Sequence, residues 1–328
     1  MHDERQQQRS SSLDAALGIK VDYHRPVMVE ECLAGLSLRA DGVYVDATFG
    51  GGGHSRAILD RLGPSGRLLA FDRDGEALAN APADGRLTLI GEDFRHLKSF
   101  LRLHGVRRID GLLADLGVSS HQIDSAERGF STRLEGPLDL RMDRRQGLTA
   151  ADVVNTLEPK DLERVLRLYG ELSAAHAMTA AIVRAREAEP IATTQGLCEA
   201  VRPLLPRGRE NKVLAQLFQA LRIEVNGELE ALQALLRQGA DLLAEGGRMC
   251  IIAYHSLEDR LVKNFFRSGH FDGSEEKDFF GNLLAPLRPV GRKPIVASED
   301  EVAANNRARS AKLRVAEKVG QREKETTT

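Results

Sequence analysis

Val43-Tyr44-Val45-Asp46-Ala47-Thr48-Phe49-Gly50-Gly51-Gly52-Gly53-His54 is the stretch that decides the fold. Val43 to Val45 read as the end of a buried strand, and Asp46 closes it. Gly50 to Gly53 form the turn, and Ser55 to Leu62 read as a helix with apolar Ala57, Ile58, Leu59 and Leu62. Strand, glycine turn, helix is the geometry that lets backbone N–H groups approach a nucleotide-like ligand closely. Four glycines in a row would weaken any packed element, so they point to a loop built for close approach. A second strand, Arg67 to Phe71, ends at Asp72, 22 positions beyond Gly50. An acidic residue about 20 residues after such a turn commonly holds ribose hydroxyls. Asp46, ahead of the glycines, could hold the cationic amino group of an amino-acid tail. S-adenosylmethionine (SAM) carries such a tail and a dinucleotide does not, which favours SAM over NAD.

The 328 residues suffice for one large domain or two. Hydrophobic content of 42% and charged content of 29% belong to an ordinary globular chain and exclude a fibrous or wholly disordered one. Cys32, Cys198 and Cys250 form no CxxC pair and are odd in number, which argues against a disulfide framework and against structural zinc. No metal is expected. No apolar run approaches a membrane span and no signal-peptide core is present, so the expected compartment is the cytoplasm. Net charge is −2, so nucleic-acid binding would have to come from local basic clusters.

Strand and helix signals alternate through residues 42–115. Arg86 to Ile90 reads as a third strand, Leu97 to Leu103 as a helix, and Ile109 to Ala114 as a fourth strand. This pattern implies right-handed crossovers and a mostly parallel sheet, with ligands at the strands' carboxyl ends. Asp46, Asp72, Asp93 and Asp115 all fall at or just past those ends. Residues 125–147 are rich in glycine, proline and charge, and helices then follow over Pro159–Tyr169, Ala174–Glu187 and Gln195–Val201. Thr149 and Asp152 resemble a capping box. Helices over Lys212–Val225 and Glu228–Ala244 lead to Gly246, Gly247 and a fifth strand, Arg248–Tyr254. Leu284–Val290 and Ala311–Glu317 are candidates for the last two strands, and 268–282 for a loop. The fold class is therefore α/β, a Rossmann-like sheet with an inserted all-helical domain. The expected division is a disordered tail over 1–22, a sheet domain over 23–122 and 211–317, a helical insert over 123–210, and a tail over 318–328.

Longer motifs carry a resemblance. HRPVM (24–28), DATFGGGGHS (46–55), FDRD (71–74), DLGVSSHQID (115–124), RGFS (128–131), GPLDLRMD (136–143), FQALRIEVNGELE (218–230), YHSLEDR (254–260) and NNRARSAKLRVAE (305–317) are similar to those of the MraW family of bacterial small-subunit ribosomal RNA methyltransferases, over nearly all of residues 23–317. The resemblance implies a SAM-dependent methyltransferase domain interrupted by a helical substrate-recognition domain. It implies methylation of the exocyclic N(4) amine of one cytidine in the decoding centre of 16S ribosomal RNA. By position, Gly52, Gly53 and His54 match the family's glycine-loop contacts to SAM. Asp72 matches the ribose acid, Phe94 the residue beside adenine, and Asp115 and Gln122 the remaining contacts. The chain departs from many members in having Glu-Asn-Lys-Val-Leu-Ala-Gln at 210–216, where a histidine and proline are usual. Arg207, Arg209 and Lys212 could substitute there in meeting RNA.

Methyl transfer from a sulfonium to an amine needs in-line geometry more than acid–base power, and positioning can supply roughly 7–11 kcal/mol. An acceptor for the amine's hydrogen would orient it and could take the proton lost. Asp115 is at the right strand end, although the resemblance gives it to the cofactor. Asp-Leu-Gly-Val at 115–118 stands where DNA amine methyltransferases carry Asp/Asn-Pro-Pro-Tyr/Phe. His255, at the end of the fifth strand, could face the target base or serve as a helix cap. Asp139 could clamp substrate near the cofactor or lie on an amphipathic edge, and the length of the resemblance favours the clamp. Asp115, His255 and Asp139 are the candidates for the chemistry. Arg144, Arg145, Arg184, Arg186, Arg207, Arg209, Lys212, Arg307 and Arg309 are candidates for phosphate contact. The weak net charge points to the assembled or nearly assembled small subunit as substrate rather than free RNA. A homodimer is left open.

Overall fold

The computed structural model describes residues 26–145 and 147–320. The expected tail at 1–22 and residues 321–328 of the expected tail at 318–328 lie outside the described residues, while Lys318, placed in that tail, ends a strand. The strands are β1 (Val43–Asp46), β2 (Arg67–Phe71), β3 (Leu87–Ile90), β4 (Ile109–Asp115), β5 (Leu243–Ala253), β6 (Leu287–Pro289), β7 (Ile295–Val296) and β8 (Lys312–Lys318). They form one sheet in the order β3-β2-β1-β4-β5-β8-β6, with β7 also on β8. β1 to β5 run parallel, and β8 returns antiparallel to β5, Cys250 facing Val315. The strand order reverses between β1 and β4. In open parallel sheets the ligand crevice lies at that point, beyond the carboxyl ends.

Alternation along the strands builds a core on each face. Val45, Leu69, Leu112 and Ile251 point to one side, under helices α3 (Leu97–Leu103), α10 (Glu228–Leu242) and α11 (Ser256–Ser268). Tyr44, Leu68, Leu113 and Cys250 point to the other, under α1 (Val29–Leu36) and α2 (Gly53–Leu59). Between β4 and β5 the chain forms the short α4 (Ser120–Asp124) and then α5 (Ala150–Thr156), α6 (Pro159–Leu168), α7 (Ala175–Ala188), α8 (Thr194–Val201) and α9 (Glu210–Asn226). These helices share a third core, which includes Val154, Leu166, Ile182 and Leu197. Thr149 and Asp152 make both bonds of the capping box that starts α5. Helix α9 runs almost wholly beyond residue 210, where the expected insert ends, yet it buries Leu217, Phe218 and Leu221 in the helical core.

Several expected boundaries move. β5 starts at Leu243, where the glycines at 246–247 read as a turn, because Leu243 pairs with Ile109 before the register shifts. Gly246 sits at φ 73° and absorbs that bulge. The expected strand 284–290 shrinks to Leu287–Pro289, β8 reaches Lys318, and β7 had no sequence signal in its two residues. α2 starts at Gly53 and ends at Leu59, earlier than Ser55–Leu62.

One buried amide ties the end of α9 to the 140–142 segment of the helical block. Asn226 ends α9 and is 7% exposed. Its Nδ2 donates to the Leu140 carbonyl at 2.8 Å, and its Oδ1 accepts from Met142 N at 2.8 Å. These bonds hold Leu140 at φ 61°, a strained value for a branched side chain. Replacing Asn226 with alanine orphans one buried N–H and one buried C=O. The expected cost is about 2–3 kcal/mol of unfolding free energy in a denaturant titration. A loss under about 0.5 kcal/mol would mean that water replaces the amide without penalty.

Candidate active site at the strand ends

The glycine loop is tied down at both ends. Asp46 is 1% exposed; its carboxylate accepts from Thr48 N at 3.1 Å and Ser55 Oγ at 2.7 Å. Burial pushes this carboxyl up, against the pull of His54 and Ser55. Asp46 therefore sits beneath the loop and joins its start to the helix that follows. Gly50 N donates to Asp72 Oδ2 at 2.8 Å, which fastens the loop to the end of β2. Gly52 is the residue where glycine is required. Its φ is 76°, and a Cβ there would stand 2.7 Å from Phe49 Cζ. A Cβ on Gly53 would stand 2.6 Å from Pro26 Cγ.

Asp72 and Asp115 flank this loop at the ends of β2 and β4. Asp72 also accepts from Asp74 N at 2.8 Å, and burial raises its carboxyl to about 6 despite those backbone bonds. Asp115 Oδ1 accepts from the Tyr254 hydroxyl at 2.7 Å, and its Oδ2 lies 3.9 Å from His54 Nδ1. Its backbone N–H donates to Thr48 Oγ1 at 2.7 Å. Burial raises the Asp115 carboxyl to about 6 as well, opposed by His54 and the Tyr254 hydroxyl. The side chain keeps 23% exposure, so the group faces the crevice while losing most of its water. Burial and the Asp115 charge push the Tyr254 phenol far up, so it stays a donor. His54 is 6% exposed, with Nε2 2.9 Å from the Val27 carbonyl. A carbonyl only accepts, so Nε2 carries the hydrogen.

Gln122 and Phe94 complete the rim. Gln122 closes a capping box with Ser119 at the start of α4, and its Nε2 donates to Asp74 Oδ2 at 2.6 Å. Asp74 also meets Arg128 Nη1 at 2.8 Å. The Arg128 guanidinium reaches Glu76 at 3.1 Å and donates to the carbonyls of Arg141 and Met142, each at 3.1 Å. Phe94 follows Asp93 and packs partly buried against the core of that face. Asp93 itself is engaged by Arg73 at 2.9 Å and Arg95 at 3.1 Å.

His255 and Asp139 sit differently from the rim carboxylates. His255 is the N-cap of α11; its side chain is 8% exposed and accepts from Glu258 N at 3.4 Å. Glu258 returns to Tyr254 N at 2.9 Å, and burial of its carboxyl is outweighed by His255 and Arg222, which hold it low. Asp139 is 8% exposed and accepts from Arg141 N, Nε and Nη2 at 3.1, 2.7 and 3.0 Å. Burial of Asp139 is likewise outweighed by Arg141, which holds the carboxyl below its usual range. Asp143 and Arg145 repeat the same i, i+2 clamp at 2.8–2.9 Å. Leu138, Leu140 and Met142, which alternate with these charges, are buried in the helical core.

Of the basic candidates, Arg186 donates to the Val154 and Leu157 carbonyls at 2.8 Å, Arg145 pairs with Asp143, and Arg307 pairs with Asp124 at 2.7 Å. Arg144, Arg184, Arg207, Arg209, Lys212 and Arg309 are exposed and make no salt bridge among the described residues, although the Arg144 charge helps to hold Asp139 low. Sequence reasoning missed Tyr254, Asp74 and Arg128. Tyr254 opens a quoted motif directly after a strand, and Arg128 opens another, so both lay in view. What could not be seen is that three loops bring them together.

A profile of the MraW methylase family matches residues 22–319. A ribosomal RNA small subunit methyltransferase H of Flavobacterium johnsoniae is 53% identical over 299 residues, 91% of this chain and 99% of that protein. Proteins of the same name from Christiangramia forsetii and Parabacteroides distasonis are 51% and 53% identical, covering 92% and 90% of this chain and 99% and 98% of theirs. A loop that needs glycine at position 52, two largely desolvated carboxylates on either side of it, and a match across nearly the whole described chain agree. The chain belongs to the MraW methylase family.

Proposed function

We infer that this protein is a ribosomal RNA methyltransferase that methylates the N(4) amine of a cytidine in the decoding centre of 16S ribosomal RNA, with SAM as the methyl donor. The observation that carries the reading is the family match over residues 22–319, and the buried pair Asp72 and Asp115 on either side of the glycine loop supports the cofactor. Carboxylates desolvated in this way gain from a ligand rich in donors and carrying positive charge. The residues fit SAM in that respect, and the absence of side chains at Gly50 to Gly53 leaves its backbone cradle open. On this reading Asp72 accepts from ribose hydroxyls, Phe94 and Gln122 bound the adenine, and Asp115 and His54 face the amino-acid end. Asp46 acts from below, by holding the loop's two ends. The bound donor supplies an electrophilic methyl group on a sulfonium.

The chain's own residues supply position and a proton acceptor. Tyr254 holds one oxygen of Asp115, which leaves the other to accept from an amine hydrogen of the target base. A carboxylate in this position can take the proton that the methylated amine sheds. His255 acts through Glu258, by setting the turn that carries Tyr254, and Asp139 acts through Arg141, by setting the 139–145 loop. On that assignment His255→Asn, which can still cap, retains transfer, while His255→Ala loses roughly 1 kcal/mol of stability. Equal loss of transfer in both variants would place His255 on the base instead.

The helical block between β4 and β5 is the substrate-recognition domain, and the unpaired Arg144, Arg184, Arg207, Arg209, Lys212 and Arg309 meet phosphates. Its substrate is the assembled or nearly assembled small subunit in the cytoplasm. Among the described residues no helix is long and apolar enough to cross a membrane. Transfer to protein-free RNA at an equal rate would refute the assembled-subunit part.

SAM affinity is expected to rise with pH through about 6 and level off above. Bound positive charge lowers the Asp115 pKa, so binding below that pH must expel a proton. Calorimetry at pH 6 in two buffers of different ionisation enthalpy should show proton release, and identical heats would remove Asp115 from the contact. The reaction itself is tested by transfer from labelled SAM to small subunits from cells lacking this protein, followed by nucleoside analysis. N(4)-methylated cytidine is expected. Label on another nucleoside would replace the target, and no label with SAM bound would make the protein an assembly factor.

A further inference from the structure

Residues 276–284 form a hairpin remote from the rim. Leu284 N donates to the Glu276 carbonyl at 2.8 Å, Asp278 N to the Asn282 carbonyl at 2.9 Å, and Gly281 N to the Asp278 carbonyl at 3.0 Å. The Asp278 carboxylate accepts from Phe280 N at 2.9 Å, Asn282 N at 2.8 Å and Asn282 Nδ2 at 2.9 Å. Gly281 reverses the chain at φ 84°. At the tip stand Phe279 and Phe280, 98% and 84% exposed, edge to face with centroids 5.5 Å apart. A turn this fully hydrogen-bonded holds two rings in water that a slack loop would fold inward.

The hairpin follows α11, whose first residue is at the rim and whose 13 residues carry the chain on the order of 20 Å away. β6, directly after it, pairs at Leu287 with Lys318, beyond the Glu317 that faces Arg248 near the start of the β5–β8 ladder. The rings therefore lie at the opposite end of the sheet from the cofactor crevice. Residues 272–284 hold four carboxylates, Asp272, Glu275, Glu276 and Asp278, against one lysine, Lys277. Phosphates would be repelled from such a tip, although exposed aromatics alone would suit base stacking. A cationic protein surface with an apolar cleft fits both the charge and the rings.

We propose that the Phe279–Phe280 hairpin is a docking element for a basic protein of the small ribosomal subunit, a second contact that holds the enzyme on its particle. This rests on the assembled-subunit reading above. Proteins that sit on ribosomal RNA are cationic because they neutralise phosphate, which is the complementarity the acidic tip requires.

The test places a photo-crosslinking benzoylphenylalanine at position 279 in the full chain and irradiates it with purified small subunits. Crosslinking to a subunit protein is expected. Crosslinking to RNA, to a second copy of this chain, or to nothing would overturn the proposal. Because the crosslink is read without methyl transfer, its failure is separate from any failure of the catalytic reading. In parallel, the double variant F279A/F280A should raise KM for subunits on the order of tenfold. Its thermal unfolding, SAM affinity and kcat should match the parent, since both rings are in solvent. An unchanged KM would also overturn the docking role.

Discussion

Arg128→Met is expected to lower unfolding free energy by about 3–5 kcal/mol and to weaken SAM binding on the order of tenfold. Arg128 is 2% exposed and lies between Asp74 and Glu76. Asp74 is itself 7% exposed, so removing its cation strands a buried carboxylate, the costly way to break an ion pair. Two carbonyls of the 141–142 segment lose their donor in the same step. The binding effect follows because Asp74 also receives Gln122 Nε2, and an unanchored Asp74 no longer orients that amide. Arg128→Lys restores the charge but not the fork, since one ammonium cannot reach a carboxylate and two carbonyls on opposite sides. It should recover stability in part and SAM affinity less. Chemical denaturation and calorimetry measure both quantities. A Met variant within about 1 kcal/mol of the parent would show that the network is incidental.

Asp115→Asn is expected to act in opposite directions on activity and stability. The amide oxygen still accepts from Tyr254, so geometry is kept while the charge is lost. Transfer should fall on the order of 10²- to 10⁴-fold, the range for a missing proton acceptor or electrostatic contact. Stability at pH 7 should rise. Burial raises this carboxyl from an ordinary 3.8 to about 6, so between those values the folded state binds more protons than the unfolded state. Stability therefore falls as pH climbs through that window and stays lower above it. At about 1.4 kcal/mol per pH unit the penalty is a few kcal/mol at most, reduced by the side chain's remaining contact with water. The asparagine variant should show a flatter stability profile from pH 4 to 7 and a higher plateau. A variant that is both less active and less stable at pH 7 would mean that the carboxylate supports the fold instead of straining it.

Local patterns made much of the sheet legible. Each of β1 to β4 is a short apolar run that stops at or near an acidic residue, and the runs are separated by helical or glycine signals. Where pattern and structure part, the cause is long-range pairing. Leu243 looks like the end of a helix, and only Ile109, on a distant strand, makes it the start of β5. Ile295 and Val296 are exposed and carry no period, so nothing short of β8 beside them defines β7. Helix α9 reads the same in any context, but the surface it covers is set by the helical block it meets.

The site divides in the same way. Gly50 to Gly53, Asp72 and Asp115 were readable because a glycine loop and strand-end acids are local features with a physical purpose. By itself the sequence determined the strand-loop-helix unit, the acidic rim and the resemblance, since these depend on residues close together in the chain. Only tertiary structure decided which charges are spent on the fold and which face the crevice. Asp139 and Asp93 look as available as Asp115, yet Arg141, Arg73 and Arg95 consume them, while Tyr254 leaves one oxygen of Asp115 open. Arg128, a surface residue by type, became a buried tie between three loops. Burial and partner identity depend on where distant segments meet, and they control whether a carboxylate stabilises the protein or waits for a ligand.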